Sequence, residues 1–423
     1  MKKNLALILA FIMLFSLTSV AFAADEPEEL RFMFIGGGDA SPKETIYREI
    51  VEEFNATNPY NVKIVVETCD DPTYKTKVPT LMTQNNMADI FWTWGERFLQ
   101  PYVEAGKVYC LDDALASDEE LASRFTGEIL DSATYDGKVY GLVHSNCTYP
   151  TYYNKAIFEE CGVEVPTTWD EFINLCQTLI DKGITPFAMG GQDAWVMAQF
   201  LTRLVCGVGG VDLYNKIRYN TGTWEDEGFI EAGTLLQELI DMGIFEENFA
   251  GVSYNEAMAM FCDGKTAMYH MGTWVTGELI EGFGKENADN IGVFYVPNVY
   301  EKNAGSNLAA TDDIICIAET CKNKEAALAF LKMFSNVKWQ EKLFIEAGLF
   351  PAVAGDFDKE KIDPVSLALI DISTDMSPIG PFDVLLGANI GNEYNNVAVA
   401  ISTGSDPAEQ FAHLQEFVEF EAD

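Results

Sequence analysis

The sequence predicts an α/β protein built as two lobes. Strand and helix signals alternate from the start, helix entries carry capping signatures, and about 400 residues follow an apolar leader, more than one ordinary core accommodates. LRFMFI (30–35) reads as a strand and SPKETIYREIVEEF (41–54) as a helix, with Ser41 as cap, Pro42 at the first helical position and Glu44 completing a capping box. NVKIVVE is a second strand, YKTKVPTLMTQN a helix and ADIFW a third strand. That order implies a parallel sheet with covering helices. After a polar segment, 112–137, KVYGLVHS and YPTYYN read as strands. TTWDEFINLCQTLIDKG carries a second box, Thr168 and Glu171, and stops at Gly183; SYNEAMAMFCDG carries a third, Ser253 and Glu256. TAMYHMG and NIGVFYV are strands, and TDDIICIAE is a strand leading into the helix NKEAALAFLKMFSN. From about 355 the chain reads as loops and helices. There is no internal repeat and no low-complexity linker, so the chain is expected to cross between its lobes more than once.

Lys2 and Lys3 precede an apolar stretch from Leu5 to Val20, and Ala21-Phe22-Ala23 supplies small residues for a peptidase. Residues 1–23 are therefore expected to be a secretory signal, with the exported chain starting at Ala24. No cysteine lies near the cut, so no lipid anchor is evident, and no later apolar run is long enough to suggest a membrane span. The formal charge of −39 repels nucleic acid and anionic lipid, and a neutral ligand fits best. Nine cysteines without a CxxC motif support neither a disulfide framework nor a zinc site. They are expected to act as small buried hydrophobes. His144, His270 and His413 form no motif, and neither metal nor cofactor is expected.

Two stretches mimic nucleotide loops. IGGGDASP (35–42) has Ser41 where a dinucleotide loop needs its third glycine, and DGKTAM has Ala259 where a phosphate loop needs its first. No GxSxG, HExxH or Cys/His signature is present. A glycosidase carboxylate pair is visible only in three dimensions, so a secreted glycoside hydrolase stays open as an alternative.

The aromatic residues at strand ends and in loops carry the functional reading. They are Trp92, Trp94, Tyr149 with Tyr152-Tyr153, Trp195, Trp224, Trp274 and Phe350. Trp195 follows the polar, glycine-rich MGGQDA, and Trp274 follows YHMGT directly after a strand. Open parallel sheets bind ligands outside the carboxyl ends of their strands. Aromatic faces beside carboxylates and amides suit a sugar, whose C–H faces pack on rings while its hydroxyls bond polar edges. Asp39, Glu96, Asn146, Asp193, Asn307 and Asp312 are the expected polar partners.

TYYNKAIFEECGVEVPTTWDEF (151–172), PYVEAGKVYCLDDAL, FCDGKTAMYHMGTW, NKEAALAFLKMF and AGLFPAV occur in an order that resembles family 1 extracellular solute-binding proteins. DIFWTWGERF is similar to the matching strand and loop of maltodextrin-binding proteins. The resemblance spans nearly all of the exported chain. It implies a two-lobed type II periplasmic binding protein fold with the ligand cleft between lobes. It also implies the capture subunit of an ABC-type sugar importer, which hands a neutral mono- or oligosaccharide to membrane permease subunits without turning it over. By the same resemblance Trp92 is the aromatic sugar contact after the third strand, Trp274 the stacking ring after a Gly-x-Trp turn, and Asn146 or a neighbour the polar hinge residue. Two departures stand out: Phe382 is the nearest aromatic where maltodextrin binders carry a further tryptophan, and the lipid-anchor cysteine of Gram-positive members is missing. A soluble, monomeric protein of the periplasm or cell exterior is expected. The lobes are expected at 24–142 plus 308–336 and at 143–307 plus 337–423, with crossings near 142–146, 304–308 and 336–340. In DIFWTWGERF, Trp92 or Trp94 is expected to face the cleft, Glu96 to accept sugar hydroxyls and Arg97 to pair with Glu96. A binding protein for a non-sugar solute such as ferric ion is a further alternative. Tyr152 and Tyr153 are adjacent strand residues pointing to opposite faces and are poorly placed to chelate one ion.

Overall fold

The computed structural model describes residues 26–36, 41–374 and 376–422, apart from the side chains of Thr311, Asp312 and Lys359. The expected signal sequence and its cleavage site lie outside the described residues. β1 (Glu28–Ile35) leads through α1 (Pro42–Thr57) to β2 (Val62–Cys69), and through α2 (Asp71–Thr83) to β3 (Ile90–Thr93). Both β2 and β3 pair with β1 in parallel, as the alternation of strand and helix requires. α3 (Glu96–Glu104), α4 (Asp112–Ser117) and α5 (Glu119–Ala122) fill the polar segment, followed by the small hairpin β4 (Thr134–Tyr135) and β5 (Lys138–Val139). β6 (Gly141–Thr148) then carries the chain away from this sheet.

The second half opens with β7 (Thr151–Asn154), α6 (Lys155–Cys161), α7 (Trp169–Asp181), β8 (Thr185–Ala188), α8 (Ala194–Arg218) and α9 (Glu227–Met242). α10 (Tyr254–Cys262), β9 (Thr266–His270), α11 (Thr276–Phe283) and β10 (Ile291–Phe294) complete it. β11 (Ser306–Ile317) returns to the first half, which receives α12 (Lys324–Phe334), α13 (Val337–Ala347) and β12 (Phe350–Pro351). α14 (Pro364–Ser373), β13 (Ser377–Ile379), α15 (Phe382–Leu385), α16 (Gly387–Ser402) and α17 (Pro407–Ala422) close the chain. The larger sheet has the order β12-β6-β11-β3-β1-β2 with β13 beside β11, and the smaller one the order β10-β7-β9-β8.

Two hydrophobic cores result. One gathers Phe32, Phe34, Ile50, Phe91, Ile315 and Phe330; the other gathers Tyr152, Phe172, Phe187, Leu204, Leu236 and Phe411. β6 crosses between them, with Leu142 and Val143 in the first core and Cys147 in the second. β11 crosses back, with Leu308 and Ala310 in the second and Ile314 in the first. The β6–β11 register slips between Ala310 and Ile314, where β11 changes core, an irregularity that bends a strand locally. The third crossing differs from expectation. Trp339, Leu343 and Ala347 of α13 sit in the first core, because that helix lays its apolar side against α1. The chain leaves this core after Ala352 and enters the other at Val365.

The capping boxes at Thr168–Glu171 and Ser253–Glu256 form in both directions. The one expected at Ser41 does not. Ser41 makes no side-chain cap, and Glu44 turns to Arg48 at 2.5 Å. α8 had no sequence signature, because it is apolar around most of its circumference. It is long and apolar enough to cross a membrane, but most of its apolar stretch is buried in the protein, much of it in the second core. The nine cysteines are free thiols, and six of them are buried.

Candidate functional site

Parallel strands bring their carboxyl ends to one edge, so the loops that follow them converge. In the second lobe β8 and β9 run parallel. The loop after β8 supplies Asp193 and Trp195, and the turn after β9 supplies Trp274. Gly272 is required at that turn, since a Cβ there would collide with the Trp274 ring. Trp195 and Trp274 stand 6.2 Å apart between ring centroids, and Tyr254, at the start of α10, stands 5.4 Å from Trp195. All three are half-buried. Asp193 accepts a hydrogen bond from the Tyr254 amide at 2.7 Å, which ties the two loops together. Burial pushes the Tyr254 hydroxyl well above the usual tyrosine range. Tyr149 is buried and meets Trp274 edge-on at 5.2 Å. Trp274 packs against both cores, so this aromatic wall lies where the two lobes face each other.

The first lobe contributes loops after β2 and β3. Lys75 of α2 lies 3.2 Å from Asp71 and 3.3 Å from Asp383 of α15, with its ammonium 4.9 Å from the centre of the Trp94 ring. Burial raises the Asp71 carboxyl, with Lys75 opposing and Asp383 and Asp193 adding to the rise, so the four charged groups share one electrostatic neighbourhood across the lobes. At another part of the interface burial likewise raises Glu278 of α11, while Lys43 of α1 and Ser41 pull it down. Among the described residues, no group of three or more His, Cys, Asp or Glu side chains is placed to hold a metal ion.

The expected residues divide. Trp195, Trp274, Tyr149 and Asp193 come together at the aromatic wall. Trp92 does not join them: it is 6 % exposed, its indole donates to His144 Nε2 at 3.0 Å, and its carbonyl accepts from the Tyr74 hydroxyl. A ring held by that many buried partners belongs to the core. Trp94 is nearly as buried, edge-on to Trp92 and Phe98 at 4.7 Å each, with the Lys75 ammonium over its ring. Glu96 is engaged by Arg218 at 2.9 Å, and Arg97 binds the Arg218 carbonyl and Asn220 rather than Glu96.

Asn146 donates to the Pro351 carbonyl at 3.2 Å and Asn307 to the Gly305 carbonyl at 3.4 Å. The amide oxygen of each is buried without a protein partner among the described residues. Both lie on the crossing strands β6 and β11. Phe350 pairs with Asn146 in the sheet and packs on Phe344 at 5.1 Å. Trp224 is core, packed on Phe229, Phe382 and Tyr394, and Phe382 itself is fully buried. Tyr152 is fully buried with its hydroxyl on Thr276 at 2.8 Å, whereas Tyr153 packs on Phe158 and Phe294. Asp39 and the Asp312 side chain lie outside the described residues. A separate depression of about 470 Å³ beside Glu96, lined by Gln100, Glu104, Asp131 and Tyr135, belongs to the first lobe alone.

Tyr254, Asp71, Lys75, Asp383 and Glu278 were not singled out from sequence. Tyr254 sits in a capping box that explains its neighbours without it. The charged residues are unremarkable among the 66 carboxylates of the chain until the lobes are brought together.

Two α/β lobes joined by crossing strands, with an aromatic and charged interface between them, define the two-lobed solute-binding fold of periplasmic proteins. A family model described as bacterial extracellular solute-binding protein matches residues 39–341, and the chain belongs to that family. The multiple sugar-binding protein of Streptococcus mutans is 27 % identical over 314 residues, 73 % of this chain and 72 % of the relative. A probable sugar-binding periplasmic protein of Brucella suis is 30 % identical over 188 residues, 43 % of each chain. A structure from work on xylan utilization by the thermophilic bacterium Caldanaerobius polysaccharolyticus superposes with a TM-score of 0.85 at 27 % identity, covering 92 % of this chain and 99 % of that one. A chitin oligosaccharide binding protein superposes with a TM-score of 0.87 at 24 % identity, covering 93 % and 99 %, a likeness of fold.

Proposed function

We propose that this protein is the extracytoplasmic capture subunit of an ABC-type importer. It binds a neutral mono- or oligosaccharide between its lobes and delivers it unchanged to membrane permease subunits. The observation that carries this reading is the half-buried wall of Trp195, Trp274 and Tyr254 beside Asp193. Three rings present C–H-binding faces over an extended area, and a carboxylate and tyrosine hydroxyl at their edge supply acceptors and donors for sugar hydroxyls. The sugar-binding names of the Streptococcus and Brucella relatives point the same way. The excess of carboxylates over lysines around the interface, Asp71, Asp193, Asp383 and Glu278 against Lys43 and Lys75, disfavours an anionic sugar.

A thermal-shift screen of the exported protein against xylo-oligosaccharides, chitin oligosaccharides and raffinose-type sugars tests the proposal. A ligand at 100 times its Kd stabilises by about 2.7 kcal/mol, a readily measured rise in Tm. Chromatography of the same mixtures is expected to return each sugar intact. Shortened glycans would make the protein a hydrolase, and no shift with any carbohydrate would overturn the sugar reading.

A further inference from the structure

Glu96 and Arg97 follow the strand whose end was expected to hold the ligand, yet both reach across to the other lobe. The Glu96 carboxylate meets the Arg218 guanidinium at 2.9 Å. Arg97 Nη2 donates to the Arg218 carbonyl at 3.0 Å and to Asn220 Oδ1 at 3.2 Å. Glu96 and Arg97 begin α3 in the first lobe, whereas Arg218 is the last residue of α8 in the second. The pattern is complementary. An anion faces a cation, and the next residue, a cation, faces a carbonyl in the last turn of a helix, where the macrodipole is negative.

The backbone is set for this contact. Glu96 has φ +52°, a left-handed conformation that a non-glycine residue keeps only when its surroundings over-determine it. Those surroundings are the Tyr135 hydroxyl, which donates to the Glu96 carbonyl at 2.7 Å, and Arg218 on its side chain. Lys75 and Asp383 add a further bridge between lobes at 3.3 Å. Alongside, Val384 of α15 is buried in the first core while its neighbours Phe382 and Leu385 belong to the second.

We infer that Glu96 and Arg97 form an interlobe latch that clasps the end of α8 and holds the two lobes together, with Lys75 and Asp383 as its second clasp. They are positioning residues, acting on a bound solute through the approach of the lobes and not by touching it. The Glu96–Arg218 pair is part-exposed, so it is modest alone and sensitive to salt. A neutral solute contributes no charge of its own. Any salt dependence of its affinity therefore reports charged groups that the lobes bring together on closing. Only this consequence for affinity rests on the carbohydrate reading.

The test uses no sugar, so a failed sugar screen leaves it standing. Small-angle X-ray scattering of the full exported chain is recorded at low and high sodium chloride, for the wild type and for Glu96→Arg, Arg218→Glu and the double exchange. The wild type is expected to show a larger radius of gyration at high salt. Each single reversal should already be expanded at low salt, because it places like charges across the seam. The double exchange should return the low-salt value of the wild type. A wild-type profile indifferent to salt overturns the latch without reference to any variant. So does a double exchange that is folded by circular dichroism but as expanded as the single reversals.

Discussion

His144 offers a test of the buried network that removes Trp92 from the cleft. Its Nε2 accepts from the Trp92 indole at 3.0 Å, and the Tyr47 hydroxyl lies 3.1 Å from the same atom. An acceptor lone pair on Nε2 requires the neutral ring. Burial, with a smaller push from Lys43, lowers the imidazole from 6.5 to about 3. The unfolded chain takes up a proton below pH 6.5 that the folded chain refuses. Stability from this site is therefore present at neutral pH and above, and is lost as pH falls from about 6.5 toward 3. At pH 5 the unfolded histidine is about 1.5 pH units below its midpoint and the folded one still neutral. At 1.36 kcal/mol per unit, the site loses about 2 kcal/mol between pH 7 and pH 5.

His144→Gln removes the titration while its amide oxygen can still accept from Trp92. Urea unfolding of both proteins at pH 7 and pH 5 isolates the site. His270, also lowered to about 3 by burial, and the carboxylates contribute alike to both proteins and cancel. Any packing cost of the substitution is independent of pH and cancels as well. The fall in unfolding free energy from pH 7 to pH 5 is expected to be about 2 kcal/mol smaller in His144→Gln. An equal fall in both would mean that His144 titrates normally, and that Trp92 is not held by a buried neutral imidazole.

Trp274→Ala is expected to weaken the best sugar found in the screen by roughly 1–3 kcal/mol in titration calorimetry, with a smaller effect on Tm, since the ring is half-buried at the lobe interface. Unchanged affinity with a collapsed Tm would place it in the core. Gly95→Ala is expected to destabilise by about 1–3 kcal/mol in urea unfolding, because its Cβ would collide with the Ser132 carbonyl and the Ile314 side chain. It should also displace Glu96 and weaken the lobe contacts, giving a larger radius of gyration at low salt.

Much of the architecture could be read from local pattern. The first three strands, the helices that follow them and the boxes at Thr168 and Ser253 follow from period and capping chemistry, which act within a few residues. Trp195 and Trp274 were recognisable because each directly follows a glycine-bearing turn at a strand end, a position that the sheet topology makes functional. Elements without local contrast were invisible. α8 is apolar on nearly every side, so it shows no amphipathic period, and β8 is four residues long. α13 went to the wrong lobe because an apolar face says that it packs, not on which core.

The reassignments at the site have one physical cause. Whether an indole faces a cleft or a core depends on what stands opposite it, and for Trp92 that is His144, 52 residues away. Whether Glu96 is free for a ligand depends on Arg218, 122 residues away in the other lobe. The sequence by itself determined the residue types, the strand ends that carry them and the family pattern of their order. Only the tertiary structure decided which of these groups satisfy one another, because hydrogen bonds and ion pairs act over a few ångströms of space regardless of separation along the chain.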